Sequence, residues 1–397
     1  MIPLDKALEI LDSIIQVKPK SEEIVPIDKS TGRHITQDAC SAFDLPPFRR
    51  AMVDGYAVSS DEPSAGYKIN GFIPAGKMPD SPINEGEAVK IMTGAPVPPG
   101  AVKVIMVEHT EETDGFIKTT GKSPTANITE IGSDIVKGDV IIKAGTRVKP
   151  LHAAVLKGCG LTGLKTAKRV KIAIVSTGDE IVETPEEITG AQIVNINGLL
   201  LQGLSEEENM EVTGNITVKD VFEDIESAIA DAASKSDIIA VSGGVSMGDL
   251  DLVPDVLKKL GFVIHYHKIA ILPGKPNLFA SKGDKYAFCL PGNPLAVYVG
   301  FQLFIKRAMK IISGAKPAIR KVKVRLSGEF TRRSTERLQF VPGKFTEEGL
   351  ICPVTVKSSA HLASLADFDG FFLIPTGIKT IGTDIPVEFI PKDGFQV

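Results

Sequence analysis

The chain has 397 residues, a formal charge of −4, a pI near 6.0 and 43% hydrophobic residues. That balance supplies more than one core and argues against broad nucleic-acid binding. Four widely spaced cysteines (Cys40, Cys159, Cys289, Cys352) exclude a clustered zinc site or dense disulfide framework, and the absence of a signal pattern or a charge-free stretch of spanning length predicts a cytoplasmic protein outside membranes.

Leu4, Ala7, Leu8, Leu11 and Ile14 recur at helical spacing, so residues 3–16 read as an amphipathic helix. From about 24 to 165, short apolar runs alternate with glycine and proline, as in "GYKINGFIPAG" (66–76) and "GDVIIKAGTRV" (138–148), which predicts β-rich modules. A short helix is expected over 151–159. Near residue 168 the rhythm changes. "RVKIAIVSTGDE", "MEVTGNITV", "DIIAV", "FVIHYH" and "YAFCL" read as strands, and helices are expected through 194–207, 220–233, "LVPDVLKKLG" and "LAVYVGFQLFIKRAMKII". Such alternation predicts a three-layer α/β domain with ligands beyond the strand C-termini. Residues 313–321 read as a linker to a small C-terminal β domain. The expected division is an N-terminal elongated region (1–165) with a β module over about 35–133 inserted in it, the α/β domain (168–312) and the C-terminal domain (318–397).

The polar loops fall at those strand ends. "VSTGDE" offers Ser176, Thr177 and the Gly178 amide for an anion and Glu180 for a hydrated cation, although an acidic helix cap has the same letters. In "SGGVSMGDLD" (242–251), Gly243, Gly244 and Gly248 permit close backbone approach, Ser242 and Ser246 add hydroxyls, and Asp251 is either a helix cap or a carboxylate facing phosphate through a metal. Neither loop matches a Walker or dinucleotide fingerprint. Lys268 and Lys275 are candidate phosphate partners, and His265 and His267 read as polar edge-strand positions before a metal pair. "LPGNP" (290–294) is a rigid turn whose Pro291, Gly292 and Pro294 border the same edge. Asp54, Thr93 and Asp134 each read singly as turn residues, Arg332, Arg333 and Arg337 as a solvated face, and Ser358 and Ser359 as helix-cap candidates.

The order of "LPPFRRAMVDGYAV" (45–58), "IMTGAPVP" (91–98), "STGDE", "SGGVSMGDLD", "ILPGKP" and "LPGNP" resembles the molybdopterin molybdenumtransferase family, related to the C-terminal domain of gephyrin, over nearly the entire chain. The resemblance implies a four-domain elongated homodimer that inserts molybdate or tungstate into adenylylated molybdopterin with Mg2+ and releases AMP. It makes the α/β unit the molybdopterin-binding domain. It also implies catalytic roles for Asp54, Thr93, Asp134, Glu180, Asp251 and Lys268, with Asp54, Glu180 and Asp251 handling metal. Substrate binding then falls to Ser176, Gly178, Gly243, Gly244, Ser246, Lys275, Pro291, Gly292 and Pro294, with Asp220 a looser match and Ser359 looser still. Arg50 to Val53 and Leu272 depart from the family pattern, the latter removing a common lysine. A molybdopterin adenylyltransferase, itself a possible partner, and a non-catalytic gephyrin-like scaffold are the alternatives.

Overall fold

The computed structural model describes residues 1–16, 22–60, 63–121, 124–244, 251–354 and 366–392. The first helix, Leu4–Ile14, buries Ala7 and Leu11 completely and joins the core of the α/β unit rather than that of the region following it. Asp12 on this helix accepts from Arg307, 2.7 Å to Nε and 2.5 Å to Nη2.

Between residues 22 and 167 the chain makes two β-rich parts. Glu22–Pro26 pairs antiparallel with Gly163–Ala167, and the core around Ile27, Ile35, Val148, Leu156 and Leu164 closes beside it. Short antiparallel pairs, Ala39–Cys40 with Val140–Ile142 and Arg50–Ala51 with Ile128–Thr129, carry the chain out and back. Beyond them lies a six-stranded sheet in the spatial order Lys103–Met106, Gly55–Val58, Glu87–Ile91, Tyr67–Ile73, Phe116–Thr119, Thr110–Thr113. Its inner strand Gly55–Val58 is buried at every position, as "GYAV" between two neighbours demands.

The α/β unit holds β1 (Lys171–Thr177), α1 (Ile196–Glu207), β2 (Glu211–Val218), α2 (Phe222–Lys235), β3 (Ile238–Ser242), α3 (Val253–Lys259), β4 (Val263–Lys268), β5 (Pro276–Lys282), β6 (Lys285–Leu290) and α4 (Pro294–Gly300). The sheet runs β2-β1-β3-β6-β5-β4; the first four strands are parallel, and β5 is antiparallel to both neighbours. Alternation along β1 shows why three layers form. Ile172 and Ile174 pack on one face with Leu201 and Leu204 of α1, whereas Ala173 and Val175 pack on the other with Ile225 and Ile229 of α2. The sequence reading lacks β5. Its "PNLFASK" opens on a proline and carries three polar residues, which hides it beside the glycine-proline loop. The long apolar stretch after Asn293 continues from α4 through a π-turn, Phe301–Ile305, into a helix Lys306–Ile312.

The C-terminal sheet runs Ile271–Leu272, Leu338–Phe345, Gly370–Ile374, Val387–Pro391, Val322–Val324, with Ile351–Pro353 paired to the second of these. Its first strand belongs in sequence to the α/β unit, so the segment before "PGKP" is parallel to Leu338 and Gln339. The structure corrects one expectation here. Arg332 is not on a solvated face: it is buried and donates to the carbonyls of Ile378, Arg337 and Pro375 at 2.6 to 2.7 Å, the arrangement a buried guanidinium requires. The expected class, a multidomain α/β plus β protein with a three-layer α/β domain, is the one observed.

Candidate active site

A cleft of about 800 Å³ opens beyond the C-terminal ends of β1, β3 and β6. Parallel strands that end together leave their connecting loops side by side, and here Ser176 of β1 pairs with Ser242 of β3, which in turn pairs with Leu290 of β6. Gly243 has φ 96° and a Cβ there would stand 2.3 Å from the Thr177 carbonyl oxygen; at Gly244, φ 60°, it would meet Val253 at 2.8 Å and the Thr177 hydroxyl at 2.9 Å. Only glycine lets these two loops touch.

The opposite wall is apolar. After β1 the chain makes a small parallel pair, Ile181–Val182 with Ile193–Val194, and Ile181, Ile188, Ile193 and Val194 line the cleft although Ile193 is 56% exposed. Glu180 and Asp220 are the charged residues among those lining it, and no lysine or arginine is among the described ones. Burial raises the pKa of Asp220; the Thr177 hydroxyl opposes this, and the carboxylates of Asp179 and Glu180 reinforce it. Lys219, beside Asp220, is occupied elsewhere, its ammonium donating to the Asp179 carbonyl at 2.9 Å.

Two asparagines that the sequence reading passed over organise the mouth of α1. Asn195 is its N-cap, accepting from the Gly198 amide at 2.9 Å and from Ser176 Oγ at 3.3 Å while donating to Thr217 Oγ1 at 2.8 Å and Glu183 Oε1 at 3.2 Å. Asn197 donates to Ser242 Oγ at 2.9 Å and to the Gly292 carbonyl at 2.8 Å. The available signal was "VNINGLL", an asparagine directly before a helical apolar run. Asn293 caps α4, accepting from the amides of Leu295 and Ala296, so the turn role of "LPGNP" is real.

Of the expected residues, Ser176, Gly178, Glu180, Asp220, Gly243, Gly244, Gly292 and Pro294 line this one cleft. Lys268 ends β4 and Lys275 precedes β5, on the same edge of the sheet but outside the lining, as is Pro291. Asp251 stands two residues before α3 and is half-buried, also outside the lining. Asp54 and Thr93 come together in the N-terminal sheet region, where Asp54 Oδ1 accepts from the Thr93 amide at 2.6 Å and hydroxyl at 2.9 Å; these bonds hold its carboxyl below the usual range. Asp134 is exposed, its amide donating to the Leu45 carbonyl. Among the described residues no group of three histidine, cysteine or acidic side chains is placed to hold a metal. Ser246 and Ser359 lie outside the described residues.

Residues 2–160 match the family model described as the MoeA N-terminal region (domain I and II), and residues 173–311 match the probable molybdopterin binding domain. A molybdopterin molybdenumtransferase of Staphylococcus aureus (strain MSSA476) is 30% identical over 98% of this chain and 95% of its own length. The chain belongs to the molybdopterin molybdenumtransferase family. A relative of the same name from Staphylococcus epidermidis is 29% identical over 94% of this chain and 92% of its own. Among solved structures, a molybdopterin biosynthesis MoeA protein from Pyrococcus horikoshii aligns with TM-score 0.83 and 32% identity, covering 98% of this chain and 99% of that one. Within the family pattern, the departure at Leu272 falls on a residue paired with Gln339 in the C-terminal sheet, a strand position rather than part of the cleft lining.

Proposed function

We propose that the chain inserts molybdate or tungstate into adenylylated molybdopterin and releases AMP. The observation that supports this most is the two-sided cleft, with hydroxyls and glycine loops on the strand-end side and an isoleucine-lined wall opposite. Hydroxyls and close backbone take phosphoryl oxygens, and the apolar wall takes a flat heterocycle.

Mg2+ fits the residues present. Glu180 and Asp220 face the cleft with no lining cation among the described residues, so two hard carboxylate donors stand there without a counter-charge on the lining. These two would hold the ion, with Asp251 and Asp54 as further carboxylates, and it would supply the positive charge that lets phosphate sit beside acids. The chain's own residues do the rest: Thr177 and Ser242 orient the phosphoryl group, and Glu180 positions water or takes its proton.

In this reading Asp54, Thr93 and Asp134 reach the cleft from a second copy, and the protein is a homodimer. Leu151, 73% exposed, and Val155 lie one turn apart on the helix Pro150–Gly158, apolar surface of the kind a second copy covers. The reading goes with a cytoplasmic location, with the molybdopterin adenylyltransferase as substrate supplier and partner; among the described residues no helix is long and apolar enough to cross a membrane.

The test is reconstitution with adenylylated molybdopterin, Mg2+ and either molybdate or tungstate, measuring loaded cofactor and AMP separately. Metal-dependent release of AMP is expected. Consumption of ATP with bare molybdopterin would mean adenylylation instead, and peptide binding without either product would mean a scaffold.

A further inference from the structure

We infer that Asn197 is the positioning residue that sets the gap between the two anion-facing loops, and that it is kept for this purpose at the expense of stability. The inference rests on the reaction proposed above for its kinetic consequence, but not for its structural one. The Asn197 amide orientation follows from its partners. The Gly292 carbonyl can only accept, so the atom 2.8 Å from it must be Nδ2, which also reaches Ser242 Oγ at 2.9 Å. One side chain therefore ties the end of β3 to the loop after β6, on both sides of the glycine-rich wall.

The other end of the amide has no such partner. Asn197 Oδ1 is buried and lacks a hydrogen-bond partner among the described residues. A tie retained for stability would be satisfied at both ends, as Asn195 is, two residues earlier on the same helix mouth, with partners for its oxygen and its nitrogen. A buried carbonyl left alone gives back part of what the two donated bonds contribute. Gly292, moreover, is exposed, so its carbonyl can turn to water when the tie is removed. The two asparagines look equivalent in sequence and differ in what their loss should do.

The experiment compares Asn197→Ala, the isosteric Asn197→Asp, which cannot donate to Gly292, and Asn195→Ala. Thermal unfolding and backbone hydrogen exchange are followed on the ligand-free protein, and AMP release with adenylylated molybdopterin, Mg2+ and molybdate gives kcat and KM. Asn197→Ala should keep Tm within about 3 °C of the parent, whereas Asn197→Asp, which sets a carboxylate against the Gly292 carbonyl, should lower it further; both should speed exchange in the loops around Gly243 and Gly292. Both should lose roughly 10-fold or more in kcat/KM, since small misplacements of positioning groups cost that much or more. Asn195→Ala should lower Tm clearly, as the loss of a helix cap does. The inference is overturned if exchange in those loops is unchanged, if kcat/KM stays at the parent value in a parent that turns over, or if Asn197→Ala loses as much Tm as Asn195→Ala. A parent protein that releases no AMP defeats the proposed reaction instead, and hydrogen exchange and Tm still decide the role of Asn197.

Discussion

Around Glu208 buried charges face one another, whereas the carboxylates lining the cleft have no counter-charge among the described lining residues. Glu208 is 5% exposed and receives the Lys306 ammonium, itself 2% exposed, at 2.5 Å; Arg147 stands 3.9 Å away and donates a separate bond to the Glu207 carbonyl. Lys310 and His34 are buried in the same seam, which joins the N-terminal region to α1 and the helix Lys306–Ile312. In the cleft, Asn197 Oδ1 is buried without a hydrogen-bond partner among the described residues, and burial raises the Asp220 pKa against the opposing Thr177 hydroxyl. The seam is complete without a ligand. The cleft wall keeps uncompensated polar groups where substrate is handled, so stability and activity should respond oppositely when charge is removed from the two places.

The largest effect is expected at the seam. Glu208→Ala leaves Lys306 buried without its closest counter-charge, and denaturant unfolding should show a loss of about 3–5 kcal/mol. A loss below about 1 kcal/mol would mean that water already reaches this pair. In the cleft, Asp220→Asn should leave stability equal or improved, because burial already disfavours the charged form, while AMP release falls about 100-fold, or about 2.7 kcal/mol of barrier. If Asp220→Asn unfolds the protein with turnover intact, the contrast is lost.

Titration sharpens it further. Burial lowers the His34 pKa to about 4, helped by the charges of Arg147, Lys310 and Arg33. The unfolded chain therefore binds the proton first as pH falls, and stability present above pH 6.5 is lost toward pH 4, by roughly 3 kcal/mol. Lys310, pushed down to about 8 by burial and by Lys306, acts with the same sign at higher pH: stability should rise from pH 8 to 10.5. His34→Gln should flatten the acid limb alone, as read by urea midpoints across pH. The smallest effect is local. Thr93→Val removes one of two bonds to the Asp54 carboxylate, whose pKa should rise toward the ordinary value in an NMR titration without a change in fold.

The parallel core strands, their helices and the glycine loops were legible in the sequence because burial on both faces writes an uninterrupted apolar run, and Gly243 and Gly244 stand where backbones touch. Eight of the expected residues line the cleft for the same reason: loops following parallel strands must meet. What stayed hidden depends on contacts distant in sequence. Strand β5 begins on Pro276, whose missing amide proton disguises it; Arg332 looks like surface until the carbonyls of Ile378 and Pro375 close around it; and Asn197 gains meaning only when Ser242 and Gly292 come within reach.

The short strand Ile271–Leu272 has a mechanical consequence. It leaves the α/β unit to pair with Leu338 and Gln339, and Arg337 reaches back toward the Ile271 carbonyl at 3.4 Å. The C-terminal sheet is thus interlocked with a chain segment that precedes the linker by some forty residues. Severing the backbone between residues 313 and 321 should leave two fragments that migrate together, and neither fragment alone holds a finished C-terminal sheet.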